Sequence, residues 1–233
     1  MKKIFFAVVI TLFLAFNANA DSLTGYYYKI PISHPDVEKG IDAAVVTGLV
    51  QTVLGPNGLP MVSSPPYTGP SGPITNFDSS TNEILWWTAG QSGILYEKTQ
   101  TDSLPLNFPS NFFPDGQTNN YTYFRAVHWE GTFNLASPGS VTFTLGADDD
   151  AWVFIDGVLK VDNGGVKGLT SVPNVIAGLT AGSHEVDIFF ADRHTVQSAI
   201  TFSADVELQP VPEPSAIMLL GMGLIGLLAL RRR

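Results

Sequence analysis

Asp156-Gly157 stands between two apolar runs, Trp152-Val153-Phe154-Ile155 and Val158-Leu159 with Val161. An Asp-Gly pair accepts the positive φ angles of a two-residue turn, so two hydrophobic runs meeting there form a β-hairpin. The upstream arm is entered through three adjacent carboxylates, Asp148, Asp149 and Asp150, and the chain offers no following base until Lys160. Adjacent like charges at a strand entry repel, and a hard cation relieves them. Carboxylate oxygens are the ligands that calcium prefers.

The hairpin sits among other short alternating segments. Val127, Trp129, Gly131, Phe133 and Leu135 alternate with His128, Glu130, Thr132 and Asn134. Pro138-Gly139 makes a turn, and Val141, Phe143 and Leu145 resume the alternation. Ser183 to Phe190 and Ala199 to Leu208 follow, the latter with Ile200, Phe202, Ala204, Val206 and Leu208 on one face. Such strands with turn signals between them predict an all-β chain folded as a jelly-roll-like β-sandwich. Trp129, Phe143, Phe154, Phe190 and Phe202 are expected in its one core, and Trp152 reads as core rather than as a sugar platform.

The first half is less regular. Leu23 to Ile30 reads as an edge strand that Pro31 ends. Ile41, Ala44, Val45, Leu49, Val53 and Leu54 recur at helical steps, which predicts one short N-terminal helix over Asp36 to Leu54, stopped by Gly55-Pro56. Gly55 to Asn76 is a long Pro-, Gly- and Ser-rich loop lying across the sandwich surface. Glu83 to Thr88 and Gly93 to Glu97 read as strands. Asp102 to Asn120 reads as a loop anchored by Phe108, Phe112 and Phe113. One domain over 21–208 is expected, with the helix and long loop insertions at about 36–120.

Both ends read as addressing segments. Met1 to Ala20 has Lys2-Lys3, an apolar run and a small-residue close at Asn17-Ala18-Asn19-Ala20, which is a secretory signal peptide. Signal peptidase would leave Asp21 first. At the other end Pro212-Glu213-Pro214 precedes an apolar helix over 216–230 and Arg231 to Arg233. Apolar residues followed by arginines would sit in a membrane with the arginines on the cytoplasmic side. The whole pattern over 209–233 resembles the PEP-CTERM sorting signal of Gram-negative envelope proteins. That resemblance implies a transient membrane anchor, cleavage by an exosortase near Pro212-Glu213-Pro214, and a final place in the cell envelope or outside the cell.

Of the chain's 12 Lys and Arg residues five lie in the end segments, and of its 21 Asp and Glu residues only Glu213 does. The body therefore keeps seven basic against twenty acidic residues, a formal charge of −13. Such a body does not hold nucleic acid, which needs bases on phosphates. Cysteine is absent, so disulfides, zinc-thiolate sites and thiol nucleophiles are excluded.

Leu23-Thr24-Gly25-Tyr26-Tyr27, Trp129-Glu130-Gly131, Thr144 to Asp149 and Phe154-Ile155-Asp156-Gly157 resemble the protective-antigen-type β-sandwich domain of yeast flocculins, adhesins and bacterial glycosidases. The fibro-slime branch is the closer likeness, through Asp148 to Gly157, Asp162-Asn163-Gly164-Gly165 and Phe190 to Ser198, with Asp192 where that branch has Glu. In sugar-binding members two consecutive Asp residues joined by a cis peptide hold a calcium ion that also meets sugar hydroxyls. The resemblance puts that pair at Asp148 and Asp149. Asp150, Asn163, Asp192 and His194 are further candidate ligands. Asp162 to Gly165 also reads as a plain turn, and Arg193 with His194 as a structural ion-pair cluster with the acids.

No catalytic motif is present. Gly90-Gln91-Ser92-Gly93-Ile94 lacks the last glycine of a nucleophile elbow. Asp149 and Asp192 remain the one carboxylate pair that could flank a glycosidic bond. The expectation is a non-enzymatic, calcium-dependent adhesin for an extracellular polysaccharide or surface glycan. The alternatives are a matrix protein that uses calcium only for stability, or an accessory non-catalytic domain. Protein recovered from its native host should begin at Asp21 and lack Arg231 to Arg233. An intact mass retaining the arginines rules out the sorting cleavage.

Overall fold

The alternation at Tyr123–Leu135 produces a long strand that buries Val127, Trp129 and Phe133 on one face, and the sheets are assembled around it. A computed structural model describes residues 21–211. The signal segment, Pro212-Glu213-Pro214, the apolar run at 216–230 and the arginine tail lie outside the described residues. Among the described residues no helix is long and apolar enough to cross a membrane.

In chain order the strands are β1 (Ser22–Pro31), β2 (Val50–Leu54), β3 (Pro60–Val62), β4 (Leu95–Ser103), β5 (Leu106–Phe108), β6 (Tyr123–Leu135) and β7 (Gly139–Asp148). They continue as β8 (Asp150–Ile155), β9 (Val158–Asn163), β10 (Thr170–Leu179), β11 (Gly182–Ala191), β12 (Ala199–Ala204) and β13 (Gln209–Pro210). The larger sheet runs β3-β2-β9-β8-β11-β6-β1-β4, with β13 also on β6, and the smaller runs β10-β7-β12-β5. Every pairing is antiparallel. This is the expected all-β sandwich.

The larger sheet is buried on both faces at β8 and along much of β11. Its inner face packs on the smaller sheet through Trp129, Phe143, Phe190 and Phe202, among others. Its outer face is covered by residues 32–94, which bring Val37, Leu49, Ile74, Trp86 and Trp87 onto Trp152, Phe154 and Phe189. A strand covered twice has no solvent side, and so reads as an unbroken apolar run. That explains Trp152-Val153-Phe154-Ile155: Val153 and Ile155 face the inner core, and Trp152 and Phe154 the outer layer. Trp152 is core, stacked on Trp86 at 6.3 Å. Phe154 is buried as expected, but in the outer layer rather than in a single common core.

Several other expectations change. The helix over Asp36 to Leu54 does not form. Gly48 turns the chain at φ 78°, and Asp36 and Asp42 are loop staples rather than helix residues. Asp36 accepts from the Thr75 and Asn76 N–H groups and from Trp86 Nε1, and Asp42 from Tyr67, Ser71 and Val166. Only Val50–Leu54 becomes regular, as β2. β1 is an internal strand between β6 and β4, not an edge. Within Glu83 to Thr88 the regular piece is a 3₁₀ turn at Leu85–Trp87. The strand expected over Ala199 to Leu208 ends at Ala204 as β12, although Val206 and Leu208 stay against the core. The expected insertion also supplies β4 and β5. Phe112 does anchor its loop, stacked on Phe108 at 4.4 Å.

Gly25 and Gly131 are demanded by close approach. A Cβ on Gly25 would lie 2.7 Å from Asp102 Oδ2 and 2.8 Å from Trp129 Nε1. Asp102 Oδ2 there accepts from Tyr27 Oη at 2.6 Å and from Trp129 Nε1 at 2.7 Å, which ties β4, β1 and β6 together. A Cβ on Gly131 would lie 2.4 Å from Leu23 Cδ2.

Phe202→Ala and Phe154→Ala should each lower the unfolding free energy by about 3–5 kcal/mol. Because the two rings belong to separate clusters, the double variant should equal the sum of the single losses within about 0.5 kcal/mol in urea titrations. A markedly smaller combined loss would mean that the two layers are one core.

Candidate functional site

β7 ends at Asp148 and β8 begins at Asp150, so the acidic triplet is the tight turn between two sheets. The Asp148–Asp149 peptide is cis. The three carboxylates have different surroundings. Asp150 is fully buried: Oδ2 accepts from Arg193 Nε at 2.5 Å and Oδ1 from the Gly165 N–H at 2.5 Å. Asp149 Oδ1 accepts the Lys167 N–H at 2.9 Å and Oδ2 the Arg193 N–H at 2.7 Å. Asp148 is buried beside Asp149 at the end of β7. Among the described residues no backbone N–H is bonded to the Asp148 carboxylate.

Asp148 and Asp149 border a cavity of about 130 Å³, whose other walls include Ile41, Lys167, His194 and Val196. Asp192 stands behind them, fully buried, accepting from Asn120 Nδ2 at 2.6 Å and from the His194 N–H at 3.3 Å. Asn163 donates its amide to the Leu145 and Thr170 carbonyls, 3.0 and 2.8 Å away, and stitches β9 to the smaller sheet. The structure thus brings Asp148, Asp149 and His194 to one cavity. Asp150, Asp192 and Asn163 lie outside its lining.

The absence of a nearby base in the sequence does not carry over to space. Lys167 and Arg193 are both buried beside the triplet. The Arg193 guanidinium forms an ion pair with Asp150 at 2.5 Å and lies over the Trp86 ring at 5.2 Å. The ion-pair reading therefore holds for Arg193, whereas the buried Nδ1 of His194 has no partner among the described residues. Lys167 is the functional residue that the sequence leaves unmarked. The signal was Lys167 itself, which is the one Lys or Arg between Lys160 and Arg193 and lies between glycines in Gly164-Gly165-Val166-Lys167-Gly168.

Four buried carboxylates, Asp148, Asp149, Asp150 and Asp192, face these two buried cations, so two negative charges are left over when all are ionised. Burial is the main force on the acids. It raises Asp149 to about 8, with Asp150 and Asp148 adding to the rise and the Arg193 N–H opposing it. Burial also raises Asp192, with Asp149 reinforcing it, and raises Asp148 against the pull of Asp149, Lys167 and His194. Abutting carboxylates with surplus charge at a cavity fit a hard divalent cation bound through oxygen. Asp148 and Asp149 would hold it, and its chemistry would be charge neutralisation and contact with hydroxyl groups.

These features define an antiparallel β-sandwich with an acidic cis turn between its sheets. The PA14 domain family matches residues 108–216, and the PEP-CTERM protein-sorting motif matches residues 210–233. The chain is a PA14-domain protein of the fibro-slime type with a PEP-CTERM sorting motif. Protein psiF of Dictyostelium discoideum is 27% identical over 253 residues, covering 88% of this chain and 35% of psiF. Protein psiD of the same organism is 33% identical over 180 residues, covering 67% of this chain and 35% of psiD. The chain thus spans about a third of the length of these relatives. A PA14 sugar-binding domain from an RTX adhesin superposes with a TM-score of 0.39 at 14% identity, covering 80% of this chain and 90% of that one.

The raised acids give the metal-free protein a pH signature. An acid whose pKa is higher folded than unfolded leaves the folded state holding more protons between the two values. Stability therefore falls as pH rises through that window. For Asp149 the window runs from its ordinary value of 3.8 to about 8. In chelator, the wild-type melting temperature should drop across it more steeply than that of Asp149→Asn. Parallel pH profiles for the two proteins would contradict the burial of an ionisable Asp149.

Proposed function

We propose that this is an exported, non-catalytic carbohydrate-binding protein of the cell envelope or extracellular matrix. Calcium on Asp148 and Asp149 would meet the hydroxyls of a polysaccharide or surface glycan. The carrying observation is that Asp148 and Asp149, adjacent in the chain and both buried, line one cavity. The PA14 match supports the sugar reading and the PEP-CTERM match supports export, with signal peptidase and exosortase as the processing enzymes. The non-catalytic reading rests on Asp192. It is fully buried and committed to Asn120 and the His194 N–H, so it cannot serve with Asp149 as a carboxylate pair across a glycosidic bond.

A cation that binds only the native state adds RT ln(1 + [L]/Kd), about 2.7 kcal/mol at a hundredfold excess over Kd. Calcium should therefore raise the melting temperature, and magnesium should raise it less, because it demands stricter octahedral geometry. Asp149→Asn should lose most of the calcium shift and keep the fold in chelator. On glycan arrays the wild type should bind only with calcium, and Asp149→Asn should not bind. A calcium shift without any glycan would favour the matrix role in which calcium only stabilises. No calcium heat and no shift would overturn the metal reading.

A further inference from the structure

Among the described residues Lys167 is the one buried lysine, and its surroundings are unusual. Its Nζ lies 2.6 Å from the Asp149 carbonyl oxygen, 3.2 Å from that of Asn163, 3.4 Å from that of Gly165 and 3.5 Å from that of Ala147. Four main-chain carbonyls from two separate turns converge on one point. Two of them flank the β7–β8 turn that carries the paired carboxylates, and two belong to the loop after β9. Converging carbonyl dipoles repel unless a positive charge sits among them, and rings of carbonyls are the way proteins replace a cation's hydration shell. Burial pulls the Lys167 pKa below the ordinary lysine value while Asp150, Asp149 and Asp148 push it up, and the carbonyls side with these acids. An ammonium offers three N–H donors and no acceptor, whereas a neutral amine would turn a lone pair toward a carbonyl oxygen that cannot donate.

We infer that the Lys167 ammonium is a resident cation, tethered by the chain in a carbonyl cage that would otherwise need an inorganic monovalent ion, and that it fixes the β7–β8 turn before any metal arrives. The local sequence suits the task. Gly164 and Gly165 let the loop come close: a Cβ on Gly164 would lie 2.7 Å from the Val46 carbonyl oxygen, and Gly165 sits at φ 100°. The loop is also pinned on its other side, since Asp42 Oδ2 accepts the Val166 N–H at 2.9 Å. The Lys167 N–H meets Asp149 Oδ1 at 2.9 Å, so one residue orients both the backbone and the side chain of Asp149. Lys167 is a positioning residue, and it goes beyond the calcium reading without depending on it.

Chemical rescue in chelator is the test. Lys167→Ala vacates the cage, whereas Lys167→Met fills the space without charge. Both should melt several degrees below wild type in choline chloride. Exchanging choline for ammonium, methylammonium or potassium chloride at equal ionic strength should restore most of the loss in Lys167→Ala and none in Lys167→Met. An Ala variant as stable as wild type, or one that no small cation restores, overturns the inference. Should neither variant fold, nitrogen-15 spectra of the lysine-labelled wild type decide. One ammonium in slow exchange with water is expected, and only rapidly exchanging ammonium signals would overturn it. All of these readouts are taken without calcium, so they stand whether or not the paired carboxylates bind it.

Discussion

The ion pair between Arg193 and Asp150 is the interaction on which the centre of the molecule depends. Both side chains are wholly buried, and they join the end of β11's connection to the start of β8. Removing two charges from water is costly, and the pair persists only with further support. The second oxygen of Asp150 takes the Gly165 N–H, and the guanidinium lies over Trp86. Trp86 belongs to the outer layer, Gly165 to the loop that cages Lys167, and Asp150 to the acidic turn. One buried pair therefore sets the position of the covering layer and of the candidate site together. A change at either partner would leave a bare charge at the meeting point of all three.

That meeting point also shows why the first half of the chain was harder to read than the second. β6, β7, β8, β11 and β12 each bury one face or both, and period-two alternation or an unbroken apolar run reports this directly, whereas β10, mostly exposed, shows no such pattern. Residues 32–94 instead form a cover, and a cover has no period of its own. Ile41, Leu49 and Val53 are spaced like a helix, yet Ile41 is 60% exposed at the cavity, Leu49 is buried in the outer layer and Val53 is 45% exposed on β2. Asp36 and Asp42 hold the cover in place by accepting hydrogen bonds from groups some 30 to 120 residues away, such as Ser71 and Val166. Partners that distant leave no local pattern.

The site divides in the same way. The carboxylates were legible because three adjacent acids before a strand are unusual in themselves. Of their counter-charges Arg193 was legible as an ion-pair partner, whereas Lys167 was not, because it arrives from a glycine-rich loop with no acid beside it in the chain. Reading charge along the chain suggested an acidic turn without compensation. Reading it in space gives a turn about half compensated, with the residual charge concentrated where Asp148 and Asp149 reach the cavity. The second picture is more selective. A fully uncompensated cluster would attract any cation, whereas here a divalent ion would have to displace the protons that burial favours on Asp149 and Asp192, with Lys167 and Arg193 already in place.

The walls of the cavity carry the argument one step further. Its floor comes from the β7–β8 turn and the loop after β9, inside the stretch that the PA14 family matches. One wall, Ile41, comes from the covering layer, outside that stretch. Val196, 70% exposed, from the loop after β11, also lines it. The carboxylates thus share their cavity with two apolar side chains held by different parts of the chain, and sugar rings offer apolar C–H faces as well as hydroxyls. In the proposed reading the cation supplies affinity for any suitable pair of hydroxyls, as the sandwich provides it. Discrimination between glycans would then fall to residues such as Ile41, which the cover contributes. The separation has a physical basis. The acidic turn is held by buried charges and by the N–H groups of Lys167 and Arg193, so few side chains suit it, while an exposed side chain on a stapled loop can change at little expense to stability.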